Sequence, residues 1–396
     1  MHLDLKPENI VVDATGQPIM IDLGTCKRIL MDQAETIVAC TLPMAAPSLA
    51  RQLAKDPTDE NRAHGPIVRG EITTTWDLWA LGISILRWLD VDPSNGETKP
   101  KSVAALISPY ARKFLLLLVA RLLSNEKPED MLSWISERIG LSKTLLRSMA
   151  ITSAAESLEL LGRLDNSSNP IATVKELASR AITTMQPSEG QHIPMTSALT
   201  ELLSHPVVKR LDSIAQLGLV VEVYPEARHT RKEHSLGAYA YVAQYIHALY
   251  NDPISPLFKQ WITPGDCRDI LLAALLHDIG HFPLAHDLED IDQDLFDHGD
   301  LTIAMLRGAF DKKKAGSTKI EFPPLEGMLK QWQTTAERIM SVLNAKPTLV
   351  SDTVQAKSKL LRSFISGAID ADKIDYLLRE TACICLIQRV LTWTAS

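Results

Sequence analysis

Short apolar stretches open the chain, and long helical-period ones fill the rest of it. Ile10-Val11-Val12 and Ile19-Met20-Ile21, separated by Asp13-Ala14-Thr15-Gly16, predict a small hairpin, because apolar runs bounded by turn formers pair across the turn. A polar, breaker-rich segment follows to about Thr75. From there helical periodicity dominates, around Trp76 to Leu89 and Ser102 to Leu123. Between about Asn166 and Pro206 the composition shifts to Ser, Asn, Thr and Pro, which predicts a linker. Beyond it, Leu271, Leu272, Leu275 and Leu276 fall on one side of a helix and predict a buried face, with Gly280 ending that helix. No alternating run in this half predicts a large sheet, and no internal repeat of about 20–50 residues is found. The expected fold is mostly α, with one folded part over 1–160, a linker over 161–204 and a second folded part over 205–396.

Composition narrows the class without naming a function. A length of 396 residues suits two or three domains at roughly 150 residues each. With 45% hydrophobic and 22% charged residues, global disorder is excluded. The longest strongly apolar run, Phe114 to Ala120, is followed by Arg121 and is far shorter than the ~20 residues that cross a bilayer, so no membrane partner is expected. His2, Asp4, Lys6 and Glu8 stand where a secretory or transit peptide would carry basic and apolar residues, and a cytoplasmic location is expected. Five scattered cysteines fit reduced thiols, and the Cys383-x-Cys385 pair alone is weak evidence for a metal. A net charge of −7 argues against nucleic acid as a partner but leaves room for a local basic pocket around a small polyphosphate.

Two constellations carry chemistry. The first is His2-Leu3-Asp4-Leu5-Lys6-Pro7-Glu8-Asn9, followed by Asp22-Leu23-Gly24, Ala46-Pro47-Ser48 and Asp77-Leu78-Trp79-Ala80-Leu81-Gly82. In this order the four motifs resemble the catalytic loop, metal-binding loop, activation-segment end and helix-F signature of eukaryotic-type protein kinases. The resemblance implies Asp4 as catalytic base, Lys6 as a phosphate contact, and Asn9 and Asp22 as metal ligands, with Mg²⁺ required only if this stretch binds nucleotide. Kinases place a Gly-rich loop and a strand Lys before the catalytic loop, and none precedes it here, so the expectation is an incomplete, mainly helical kinase-like C-lobe without kinase activity of its own. Ser48 in place of the usual Glu is expected to remove an ion pair.

The second constellation joins three segments: Arg-Lys-Glu-His-Ser-Leu-Gly at 231–237, His-Asp-Ile-Gly-His-Phe-Pro-Leu-Ala-His at 277–286, and Asp-Ala-Asp-Lys-Ile-Asp-Tyr at 370–376. Histidine with carboxylate suits a divalent ion such as Fe, Mn, Zn or Mg and lacks the thiolates of structural zinc. The pattern resembles the HD phosphohydrolase superfamily. Over about 205 to 380 it is closer to the deoxynucleoside triphosphate triphosphohydrolases, through His205-Pro206, Gln216-Leu217-Gly218, Tyr224-Pro225 and the three segments above.

That resemblance implies an all-helical HD domain with His234, His277, Asp278 and Asp372 as metal ligands. It further implies a catalytic group of His281, His286, Glu289 and His298, with His286 supplying or relaying the leaving-group proton. Arg231 and Lys373 would contact phosphate, Gln216 and Leu217 would line the sugar, and Tyr376 would pack on it. The implied substrate is a deoxynucleoside triphosphate, cleaved to deoxynucleoside and inorganic triphosphate, and the resemblance leaves room for a homo-oligomer. Phe282 stands where the family commonly has Gly, and Thr381 to Ser396 does not resemble the family's continuation, so a C-terminally incomplete domain is expected. Two other readings fit the same residues: a serine/threonine kinase whose full-length form binds ATP and carries an HD regulatory domain, and an inactive sensor or fragment.

Overall fold

A computed structural model of the chain describes residues 1–13, 15, 17–23, 35–37, 44–54, 67–69, 73–89, 91–92, 96–97, 107–164, 169–178, 184–186, 191–223, 228–284, 298–310, 320–321, 323–344 and 352–379. Among these residues the fold is mostly helical, and every β-ladder is two-stranded. No described helix is long and apolar enough to cross a membrane. The chain divides into two compact units: Met1–Ser168 with Asp252–Trp261, and Asn169–Asn251 with Ile262–Ser396.

In the first unit the expected hairpin forms between Ile10–Val12 and Pro18–Met20, with Val11 opposite Ile19. The Asp13 carboxylate makes its turn by accepting from the backbone N–H groups of Thr15 at 2.8 Å and Gln17 at 2.9 Å. The core lies between the Thr75–Trp88 and Pro109–Leu123 helices, where Leu86, Leu117, Leu118 and Leu123 are fully buried. Ser108 caps the second of these helices by accepting from Ala111 N at 3.1 Å, and Pro109 supplies a preset φ at its first position.

Polar side chains tie the loops to this core. Asp77 accepts from the backbone N–H of His2 at 2.6 Å and of Leu3 at 2.8 Å, with Leu3 held at φ 69°. Ser48 has its own polar node: its hydroxyl donates to Glu126 at 2.6 Å and accepts from Trp76 Nε1 at 3.0 Å. The buried Arg121 donates to the carbonyls of Met149 and Gln260, both at 2.9 Å, and to Glu156 at 2.8 Å. Gln260 lies in the Asp252–Trp261 segment, and its side-chain amide donates to the Phe114 carbonyl at 2.7 Å. These bonds hold Gln260, in a segment that interrupts the second unit in sequence, through both its carbonyl and its side-chain amide.

The second unit begins at Asn169, so most of the stretch expected to be a linker is part of a folded core. Ile171, Val174, Leu177, Leu199 and Leu202 are all buried, and Thr196 caps the Ser197–Ser204 helix. Pro170 starts a helical turn, Thr196 caps a helix and Ser197 opens it, so residues that composition reads as linker serve helix starts here. The unit centres on two helices, Arg231–Tyr250 and Pro264–Leu276, each opened by a capping box, Thr230 with Glu233 and Thr263 with Asp266. Ile270 to Leu276 are buried all round rather than on one face, which makes this the central helix of the unit. Its first turns are pinned by charge: Asp266 accepts from Lys357 at 3.0 Å, and Asp269 accepts from Arg338 Nε at 2.8 Å and from the Thr334 hydroxyl.

Candidate metal centre

The centre is assembled from helix ends. The capping box fixes the first turn of the Arg231–Tyr250 helix, and His234 follows it on the buried side. His277 terminates the Pro264–Leu276 helix, with Asp278 next to it. Asp372 sits in the first turn of a helix over 371–379. Gly280 does not end the central helix through a left-handed φ, contrary to the sequence expectation. It is among the buried residues of the turn that follows, where a Cβ would overlap the His298 carbonyl and lie 2.5 Å from Thr302 N. The position needs room, not positive φ.

Four donors converge. Ligand atoms of His234, His277 and Asp278 all lie within 4.8 Å of one another. Asp372 Oδ1 stands 2.9 Å from His234 Nε2 and 3.6 Å from His277 Nε2. The ring nitrogens behind them fix the tautomers. His277 Nδ1 lies 2.7 Å from the Ala274 carbonyl, which can only accept, so Nδ1 carries the hydrogen and the neutral ring presents its Nε2 lone pair. His234 Nδ1 is held the same way, 2.9 Å from Asp375 Oδ2. His277 Nε2 is buried and makes no hydrogen bond within the protein. A buried lone pair facing carboxylates, with its ring oriented from behind, fits a divalent cation.

The electrostatics agree with that fit. Burial disfavours charge on His234, but hydrogen bonds to Asp372 and Asp375 and the nearby Asp278 carboxylate more than offset it and push its pKa up to about 9. His277 is raised against its own burial by Asp278 and Asp372. Burial likewise opposes the charge on Asp278 and Asp372, yet the surrounding histidines hold both carboxyls below the usual range. Without metal, protons therefore take the place of the cation. A sign follows for stability. His234, raised from 6.5, stabilises the metal-free fold fully below pH 6.5 and loses that contribution as pH rises to about 9. Melting of EDTA-treated protein is expected to fall between pH 6.5 and 9, whereas Mn²⁺-loaded protein holds its Tm across that window.

The family model for the HD domain matches residues 231–379. These residues form an HD domain. Among similar proteins, the MG461 homolog of Mycoplasma pneumoniae, an uncharacterized protein, is 28% identical over 193 residues, which cover 47% of this chain and 39% of that one. A Dictyostelium discoideum protein named as a deoxynucleoside triphosphate triphosphohydrolase SAMHD1 homolog is 26% identical over 216 residues, covering 51% of this chain and 38% of that one. A Bacteroides thetaiotaomicron phosphohydrolase structure is 27% identical and covers 52% of this chain and 43% of that one at a TM-score of 0.38. The chain thus spans about two fifths of the length of these curated relatives.

Other residues expected at the HD site are placed as follows. Arg231 is buried, and its Nη1 donates to Asp278 at 2.7 Å, so in this structure it braces a ligand. The Gln216 carbonyl lies 3.5 Å from Arg231 Nη2, and Leu217 beside it is half-buried. Lys373 folds back on its own turn, donating to Asp370 at 2.7 Å and to the Gly367 carbonyl at 2.5 Å. Tyr376 is half-buried on the same helix. His281 Nε2 is 3.4 Å from Asp278 Oδ1, and its ring stacks on His298 with centroids 4.1 Å apart. Phe282 lies under Arg210, whose guanidinium is 5.5 Å from the ring centre. His286 and Glu289 lie outside the described residues, as do Cys383 and Cys385.

In the first unit, Asp4 accepts from Lys6 Nζ at 2.8 Å and from Asn9 Nδ2 at 3.2 Å, and the Asp4 carbonyl accepts from the same amide at 2.9 Å. Asp22 is exposed at φ 55°. Asp4, Lys6 and Asn9 of the first motif therefore bond to one another locally.

Sequence reasoning assigned no role to Asp375. Its carboxylate is buried between His234 and Arg379, which donates to it from Nε at 3.0 Å and from Nη2 at 2.7 Å. Gly237 makes this approach feasible, since a Cβ there would overlap the Asp375 carboxylate. The signal was present as three aspartates within 370–375. Asp375→Asn is expected to weaken Mn²⁺ binding by about 10–100-fold, as is typical for loss of an outer partner of a ligating histidine. Isothermal titration of the metal-free protein checks this.

Proposed function

We propose that this chain is a metal-dependent phosphohydrolase acting on nucleotides, with deoxynucleoside triphosphates as substrates and deoxynucleoside and inorganic triphosphate as products. The observation that carries the reading is the convergence of His234, His277, Asp278 and Asp372 from three separate segments, with the Nε2 atoms of both histidines turned inward. The name of the Dictyostelium relative supports the substrate class.

These four residues would hold the ion. When bound, a divalent cation offsets phosphate charge and acidifies water, the chemistry a phosphoester hydrolase requires. The protein's own groups do the rest. Arg231 and His281 orient Asp278 from either side, and Asp375 orients His234. His281 is pushed down to about 4 by burial, so near pH 7 it is a neutral ring that orients rather than a proton donor. The proton for the sugar 5′-oxygen is assigned to His286, the position that matches the family's donor. Lys373, held on the ligand-bearing helix beside Asp372, supplies positive charge for the phosphate chain.

The test is elemental analysis of the purified chain together with triphosphate release from a panel of deoxynucleoside triphosphates in Mn²⁺. About one metal per chain with triphosphate release supports the reading in full. Metal without release from any of the panel moves the site to another phosphoester, and absence of metal defeats it.

A further inference from the structure

The turn over 277–281 bears His277, Asp278 and His281, yet it is not a regular helix, so its backbone groups need partners from elsewhere. Two of its N–H groups are satisfied locally: Ile279 N donates to the Leu276 carbonyl at 3.3 Å and His281 N to the Asp278 carbonyl at 3.1 Å. Two side chains distant in sequence complete the set. The Thr302 hydroxyl accepts from Gly280 N at 3.0 Å and donates to the His277 carbonyl at 3.0 Å. Arg210 donates from Nη1 to the His281 carbonyl at 2.6 Å and from Nη2 to the Ile279 carbonyl.

Thr302 is buried, and its one hydroxyl both accepts and donates, a combination that an apolar side chain of the same shape cannot provide. The His298–Arg307 helix reaches the turn through Thr302 and through the His298 ring stacked on His281, and it reaches Arg210 through Met305, whose sulfur lies 3.4 Å from Arg210 Nη2. Gly280 keeps the helix and the turn in contact, since no Cβ fits between them.

From this geometry we infer that Thr302 and Arg210 are positioning residues that clamp the backbone of the metal-bearing turn from two sides and set the placement of His277 and Asp278. This rests on the metal-dependent reading above. Neither residue touches the ion or substrate in this role. Both act through the four backbone groups they bind, so their loss should loosen the turn before it alters any ligand.

The test compares Thr302→Val, which keeps the shape and removes the hydroxyl, with Thr302→Ser, which keeps the hydroxyl. Two readouts are taken: Mn²⁺ affinity by isothermal titration and amide hydrogen exchange of Gly280 in metal-free protein. Thr302→Val is expected to weaken Mn²⁺ binding by about 10–100-fold and to speed Gly280 exchange by a similar factor, with Thr302→Ser within about threefold of wild type on both. Wild-type affinity and exchange in Thr302→Val would overturn the clamp, as would a serine variant as impaired as the valine one. Should Thr302→Val not fold, Arg210→Lys carries the decision, because a single ammonium cannot span both carbonyls: about tenfold weaker binding supports the clamp and unchanged binding overturns it. Failure of wild type to bind Mn²⁺ would defeat the hydrolase reading instead, and the exchange of Gly280 would then decide the clamp by itself.

Discussion

His277→Ala is expected to reduce bound metal from about one per chain to background and to abolish phosphoester hydrolysis, while the protein remains folded. The loss should exceed the 10–100-fold typical of an outer-shell partner, because His277 supplies a donor atom itself. Folding should survive because Nε2 makes no hydrogen bond within the protein, only charge contacts with Asp278 at 3.3 Å and Asp372 at 3.6 Å, and the Nδ1 bond to the Ala274 carbonyl is a single contact at a helix end. Removing one imidazole also leaves Asp278 and Asp372 less compensated. The metal-free variant should therefore bind an added divalent ion weakly, with affinity that improves as salt is lowered. Elemental analysis and circular dichroism, run beside wild type, check both halves. A folded variant that retains metal at one per chain would remove His277 from the ligand set.

Gly280→Ala is the backbone counterpart and should have the second-largest effect. The added methyl would overlap the His298 carbonyl and lie 2.5 Å from Thr302 N, both main-chain atoms that cannot swing aside. Either the metal-bearing turn or the start of the His298–Arg307 helix must move. The expected cost is about 3 kcal/mol, the upper end of ordinary over-packing, read as a lower urea midpoint. Metal binding should fall with it, since the displaced turn carries two ligands. Gly327→Ala is the control: its Cβ would meet nothing within 4 Å, so stability should stay within about 0.5 kcal/mol of wild type. Equal behaviour of the two variants would show that the turn is more pliable than its packing implies.

Much of the metal centre was legible along the chain. His234, the His277-Asp278 doublet and Asp372 stood out through the resemblance of their three segments to the HD pattern, and histidine with carboxylate is a residue set that suits a divalent ion. The hairpin at Ile10–Val12 was equally legible, because turn chemistry and period-two patterning act over a few residues. The linker expectation did not fare as well. Ser, Thr, Asn and Pro serve helix caps as readily as loops, so composition could not separate the capped Ser197–Ser204 helix from a flexible joiner.

What the chain carried by itself was the helices, which depend on local pattern, and the three motif segments whose resemblance to the HD pattern pointed to candidate donors. What only the tertiary structure decided was their support. Arg231 turned inward to Asp278, Asp375 took up a place behind His234, and Thr302 and Arg210 closed on a turn 22 to 71 residues away in sequence. Those roles follow from which carbonyl, N–H or carboxylate lies within 3 Å of a buried side chain. Such proximity is created when helices pack, and no periodicity along one segment records it.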